Sequence, residues 1–148
     1  MACYLLNRKH FKYLSIAFAI VFVTSSFSQT QVKNNFTDNE IKAFVFEVFQ
    51  KNANQLVYNV SPHRLNLITT FLNKKYVVEY RPEYSGKKFE LISDLGLNNK
   101  YNHNLTLDTY YNPYTFNPLK YKFPISPKSK KMYRIGSTHY VISINALN

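Results

Sequence analysis

The stretch ITTFLNKKYVVEYR (68–81) changes its hydrophobic period partway along, and that change decides the fold class. Up to Asn73 the apolar residues recur at helical spacing, with Leu65, Ile68 and Leu72 on one face and Phe71 beside them. After Asn73 the period becomes two, and KYVVEYR (75–81) reads as a strand that Pro82 stops. Helical patterns lie before this switch and strand patterns after it, which is the order of an α+β domain.

Working upstream, SPHRLNLITTFLN (61–73) carries concordant helix-start signals. Ser61 stands at the cap, Pro62 at the first helical position, and Val60 is placed to staple onto Leu65. Leu65, Leu67, Thr69 and Phe71 also alternate as a strand would, but the agreement of the start signals favours the helix. Further upstream, FTDNEIKAFVFEVFQKNANQLV (36–57) is the clearest helix. Thr37 and Glu40 make a capping box, and Phe36 and Ile41 a hydrophobic staple. Ile41, Phe44, Val45, Val48, Phe49 and Leu56 form an apolar stripe, while Lys42, Glu47, Gln50 and Lys51 lie off it.

Downstream, EYSGKK turns at Gly86, and FELIS (89–93) is expected to return as the antiparallel partner of 75–81. Residues 94–118 are long, Asn-rich and irregular. LKYKF (119–123) is expected as a short strand ended by Pro124. KMYRI (131–135) and THYVISIN (138–145) make a hairpin signal, with Gly136-Ser137 suited to a type II′ turn. On the last strand Tyr140, Ile142 and Ile144 point one way, Val141 and Ser143 the other. The expected fold is α+β: one or two N-terminal helices on a small antiparallel sheet that ends in a C-terminal β-hairpin. It forms a single domain over 36–148, preceded by a flexible, polar lead-in at 29–35.

Residues 1–28 read differently. Arg8, Lys9 and Lys12 precede the apolar run LSIAFAIVFV (14–23), and Ser26 and Ser28 are small residues before a cut at Ser28/Gln29. This is the pattern of a cleaved secretory signal peptide, so the protein is expected to be periplasmic or extracellular. The run is shorter than the roughly 20 apolar residues of a spanning helix. Cys3, the only cysteine, would leave with the signal, so neither a disulfide nor a thiolate-bound metal is expected in the exported chain.

The segments SPHRLNLITTFLN, YRPEYSGKKF, DLGLNNKYN, FNPLKYKF and YRIGSTHYVISIN, in that order, resemble a group of small exported bacterial proteins. The likeness covers most of the exported chain. It implies export and a compact fold, and no activity.

Catalytic signatures are missing from the sequence. His63, His103 and His139 stand at no metal-ligand spacing, and there is no HExxH. Glu79 and Glu90 lie on candidate strands and could share a face as a carboxylate pair, but salt-bridged strand acids are the commoner case. Ser61 beside His63 is accounted for as a cap. Gly86, Gly96 and Gly136 form no phosphate cradle. A non-enzymatic protein without cofactor is therefore expected.

Charge is unevenly spread. The chain has 19 Lys and Arg against 8 acids, and from residue 95 onward there are 7 basic residues and 1 acid. Lys120, Lys122, Lys128, Lys130, Lys131 and Arg134 fall within fifteen positions and are expected to form a polyanion-contacting face. On a strand Lys120 and Lys122 would face one side. Tyr110, Tyr111, Tyr114 and Phe116 are candidate aromatic contacts beside it. An exported protein meets anionic lipid headgroups and envelope polymers rather than nucleic acid. The alternative is a protein–protein module, a small subunit or inhibitor of another exported protein, which pairs an exposed strand, 139–145, with its partner.

Overall fold

A computed structural model of the chain describes residues 31–32 and 35–146; the expected signal peptide lies outside them. Helix α1 (Asp38–Phe49) begins at the capping box read from the sequence. The Thr37 hydroxyl accepts from the Glu40 amide at 3.3 Å, and the Glu40 carboxylate accepts from the Thr37 amide at 2.9 Å. Ile41, Phe44, Val45 and Val48 are buried as one stripe. The helix breaks at Gln50, whose φ of 48° and ψ of −131° are rare for an L-residue. A 3₁₀ turn (Gln50–Asn52) and a π-helical turn (Asn54–Tyr58) follow, so the long helix expected over 36–57 is interrupted.

Helix α2 (Pro62–Thr70) starts with the Ser61 hydroxyl accepting from the His63 amide at 3.0 Å. The competing strand reading of this segment is thereby excluded. Val60 is 58% exposed and does not bury as a staple residue. A π-helical turn (Phe71–Lys75) carries α2 directly into the sheet, where the period switch was read.

The sheet comprises β1 (Gln31–Val32), β2 (Tyr76–Tyr80), β3 (Glu90–Leu91), β4 (Lys131–Arg134) and β5 (Tyr140–Ile144), in the order β1-β2-β5-β4-β3. All pairs are antiparallel except β3 with β4. The class is α+β with a C-terminal hairpin, as expected, but the sheet is mixed. Residues 89–93 do not return against β2. Only Glu90–Leu91 form a strand, and they run parallel to β4 at the far edge, because β5 already occupies the free side of β2.

The hairpin turn also differs in detail. Gly136 has φ +52° and Thr138 N–H donates to the Ile135 carbonyl, so the turn does centre on Gly136-Ser137. Ile135 N–H, however, bonds the Tyr140 carbonyl, and the connection is four residues long. β5 sits in the sheet interior with a strand on each side, so it offers no free edge to a partner. That removes the structural basis expected for edge pairing through 139–145.

One face of the sheet, with Tyr76, Val78, Tyr133, Ile142 and Ile144, packs with the buried residues of α1 and α2 into a single core. Aromatic rings dominate its middle: Phe123 lies 6.3 Å from Phe71, 6.3 Å from Tyr76 and 5.3 Å from Tyr133. Val141 and Ser143 on the opposite face are buried as well. Among the described residues no helix is long and apolar enough to cross a membrane.

Candidate functional site

Residues 119–123 form no strand. Pro118–Lys120 is a 3₁₀ turn, opened by Asn117 Oδ1 accepting from the Leu119 amide at 2.9 Å, and only Tyr121 pairs, with Leu97. Pro118 and Pro124, which carry no N–H, bound the segment and stop a ladder from extending beyond it. Two rungs remain, Asn98 N–H to the Lys120 carbonyl at 2.7 Å and Lys122 N–H to the Gly96 carbonyl at 3.3 Å. The Asn98 side-chain amide donates to the carbonyls of Leu119 and Tyr121 at 2.8 and 3.0 Å.

Loss of the strand scatters the expected cationic face. Lys120 turns inward: it is 6% exposed, and its ammonium lies 2.9 Å from both oxygens of Asp108. Asp108 also accepts from the Tyr121 hydroxyl at 2.7 Å. Burial, then the Asp108 charge, raises the Tyr121 phenol well above its ordinary value. Arg134 is half-buried and spends its guanidinium on the carbonyls of Tyr84, Ser85 and Lys87, over the Phe89 ring. Neither residue is available to a polyanion.

Lys122, Lys128, Lys130 and Lys131 are exposed, and none of them makes an ion pair among the described residues. Lys131 stands in register with Ile144, and Ile144 with Tyr76, so 128–131 lie at the sheet end where Lys74 leads into β2. Lys74 is exposed too, and belongs with them. Lys75, beside it, is 4% exposed and donates to the Ile125 carbonyl at 2.7 Å and the Ser126 hydroxyl at 3.2 Å. This buried ammonium fixes loop 125–126 against the end of the sheet.

The aromatic candidates divide as well. Tyr111 and Phe116 are core residues with ring centroids 5.3 Å apart, and burial pushes the Tyr111 phenol up to about 12. Tyr110 and Tyr114 are 66% and 86% exposed. Most of the interleaved aromatics in 109–124 are thus wrapping for the core, and two are surface.

Glu79 and Glu90 cannot act together. They sit on β2 and β3, with β5 and β4 between them, roughly 14 Å apart at the usual strand spacing. Glu79 shares its row with Val141 and Arg134, and Glu90 shares the adjacent row with Tyr133 and Ile142, so they face opposite ways. Glu79 is paired with Arg81 at 3.0 Å. His63, His103 and His139 are exposed, and among the described residues no group of His, Cys, Asp or Glu could hold a metal ion.

One concavity stands out. An apolar cleft of about 180 Å³ opens between α2 and the 118–125 segment, walled by Leu67, Ile68, Phe71, Leu119, Tyr121 and Phe123. It adjoins a second compartment of about 480 Å³ rimmed by Arg64, Lys100 and Lys122. Phe49, Arg64, Asn98 and Ile125 line both, so the two form a continuous groove. The Arg64 guanidinium lies 5.9 Å from the Phe49 ring centroid, and the Lys100 ammonium 5.2 Å from that of Tyr101. No Asp or Glu among the described residues lines either compartment. The sequence reading passed over Arg64 and Lys100. A signal was present: Arg64, Leu67, Ile68 and Phe71 stand at i, i+3, i+4 and i+7, an apolar stripe headed by a cation.

No family model matches the chain, and neither a curated protein nor a solved structure matches it.

Proposed function

We propose that the protein is an exported, non-enzymatic component of the cell envelope that docks on anionic surfaces through the cationic end of its sheet. The observation that carries this reading is the grouping of Lys74, Lys128, Lys130 and Lys131, exposed and without ion pairs among the described residues. A signal-peptide pattern at 1–28 supplies the compartment. The expected partner is an anionic lipid headgroup or envelope polymer, since each lysine near such a surface contributes roughly 1 kcal/mol and the attraction fades within a Debye length.

The test is co-sedimentation of 29–148 with vesicles containing phosphatidylglycerol, over a salt series. Binding is expected to fall steeply as salt rises. The variant K74Q/K128Q/K130Q/K131Q should lose most of it. The control K42Q/K51Q/K87Q/K88Q removes the same charge from exposed lysines elsewhere and should retain most. Equal losses in the two variants would mean that net charge acts without a face, and would sink the proposal.

A further inference from the structure

The groove beside α2 goes beyond the docking surface and is independent of it. We infer that it is a binding site for a small amphiphilic anion, with an acyl- or aryl-sized apolar body seated in the inner cleft and a carboxylate or phosphate head at the basic rim. Three observations converge on this ligand class.

The first is the chemistry of the inner wall. It is built from side chains of Leu, Ile and Phe, with Tyr121 contributing a ring whose hydroxyl is already committed to Asp108. The Asn98 amide nitrogen is likewise committed, to the carbonyls of Leu119 and Tyr121. Such a lining gives an apolar group a place to leave water and offers a polar one little to bond. Its volume of about 180 Å³ is comparable to cavities that hold a single benzene-sized molecule.

The second is the charge of the rim. Arg64, Lys100 and Lys122 converge on the outer compartment, and none of them is paired with a carboxylate among the described residues. The acids near this part of the chain are engaged elsewhere. Asp108 is bound by Lys120, and Glu47 accepts from the Asn117 amide at 2.9 Å. Three like charges around one opening, with no counter-charge in its lining, favour an anion there and repel a cation. The Lys122 ammonium lies 4.0 Å from the position a Cβ on Gly96 would take, next in sequence to Leu97 of the outer compartment.

The third is rigidity. The walls are fixed from behind by the Asn98 amide, the Lys75 hold on Ile125 and the stacked Phe116–Tyr121 rings, 5.7 Å apart at 11°. A preformed site loses less freedom on binding than a mobile one. Arg64 sits where the two compartments meet, so it marks the boundary between body and head.

The experiment is calorimetric titration of 29–148 with four eight-carbon probes below their aggregation concentrations: octanoate, octyl phosphate, octanol and octylammonium. Octanoate and octyl phosphate should bind one per chain, octanol at least tenfold more weakly, and octylammonium not measurably. Arg64→Gln should weaken the anions about tenfold and leave octanol unchanged, a split that a merely structural Arg64 would not give. Leu67→Glu, at a position 38% exposed and so compatible with folding, should abolish anion binding. A preference for octyl phosphate over octanoate would support the site and name the phosphate head. Failure of both anions at millimolar concentration, or equal binding of octanol and octanoate, would overturn the inference. Retention of anion binding by K74Q/K128Q/K130Q/K131Q keeps this result separable from the docking surface.

Discussion

Replacing Asn117 with Ala should destabilise the protein by about 3 kcal/mol, although the residue is loop-borne and polar. Asn117 is fully buried. Its side-chain amide donates to the Phe44 carbonyl at 3.0 Å and to the Glu47 carboxylate at 2.9 Å, while its oxygen accepts from the Leu119 amide. Truncation strands the Leu119 N–H in a half-buried site, at a cost of about 1–3 kcal/mol, and forfeits two further bonds of about 1 kcal/mol each. The Phe44 carbonyl keeps its helical partner and the exposed Glu47 regains water, so those two bonds together add only about 1 kcal/mol to a stranding cost of about 2 kcal/mol. With a urea m-value of about 2 kcal/mol/M, the midpoint should fall by about 1.5 M. The comparison is Asn112→Ala, which loses one turn bond to the Tyr114 amide and should cost less than about 1 kcal/mol. An Asn117→Ala midpoint within about 0.3 M of the parent would refute the reasoning that this amide joins α1 to the groove wall.

Stability should fall as pH rises from about 10, the unfolded tyrosine value, towards about 12, where buried Tyr111 titrates. Tyr76, Tyr121 and Tyr133 are also raised by burial, so the unfolded chain releases protons first and stability is fully present only below that window. Thermal melts across an alkaline series, with tyrosinate absorbance recorded, check this; a flat melting temperature across the window would contradict it. Asp108→Ala leaves the Lys120 ammonium buried and unpaired and should cost about 2 kcal/mol or more, whereas Lys122→Ala should stay within about 0.5 kcal/mol; chemical denaturation of both variants decides. Gly136→Ala places a Cβ 3.1 Å from the Thr109 carbonyl oxygen at positive φ, and should cost about 1–2 kcal/mol by the same assay.

Local signals in the sequence were read well where the physics is local. The capping box, the Pro62 helix start, the β2 alternation and the Gly136 turn each depend on residues within a few positions of one another. What was misread depends on distant partners. Glu90–Leu91 pair with β4, some forty positions later, and nothing in the alternation of 89–93 distinguishes a parallel edge from an antiparallel return. Lys120 reads as a surface charge until Asp108, twelve residues earlier, is folded against it. Gln50 gives no hint of its positive φ, because glycine or asparagine would be the ordinary choice there. At the groove, the cation-headed stripe on α2 was visible, but the opposite wall arrives from an irregular segment that no periodicity describes.

The strand order has a consequence for how the chain comes into being. β2 lies between the first described strand and the last, so one of its flanks is filled early and the other only when 140–144 arrive. β4 and, through it, β3 join the rest of the sheet only by way of that same late strand. A nascent chain therefore holds no completed sheet until residues 140–144 have been synthesised. The closing contacts span sixty residues or more, which places assembly among the slow, non-local topologies. On the proposed export route that delay would keep the precursor open to threading until the final strand locks the others together.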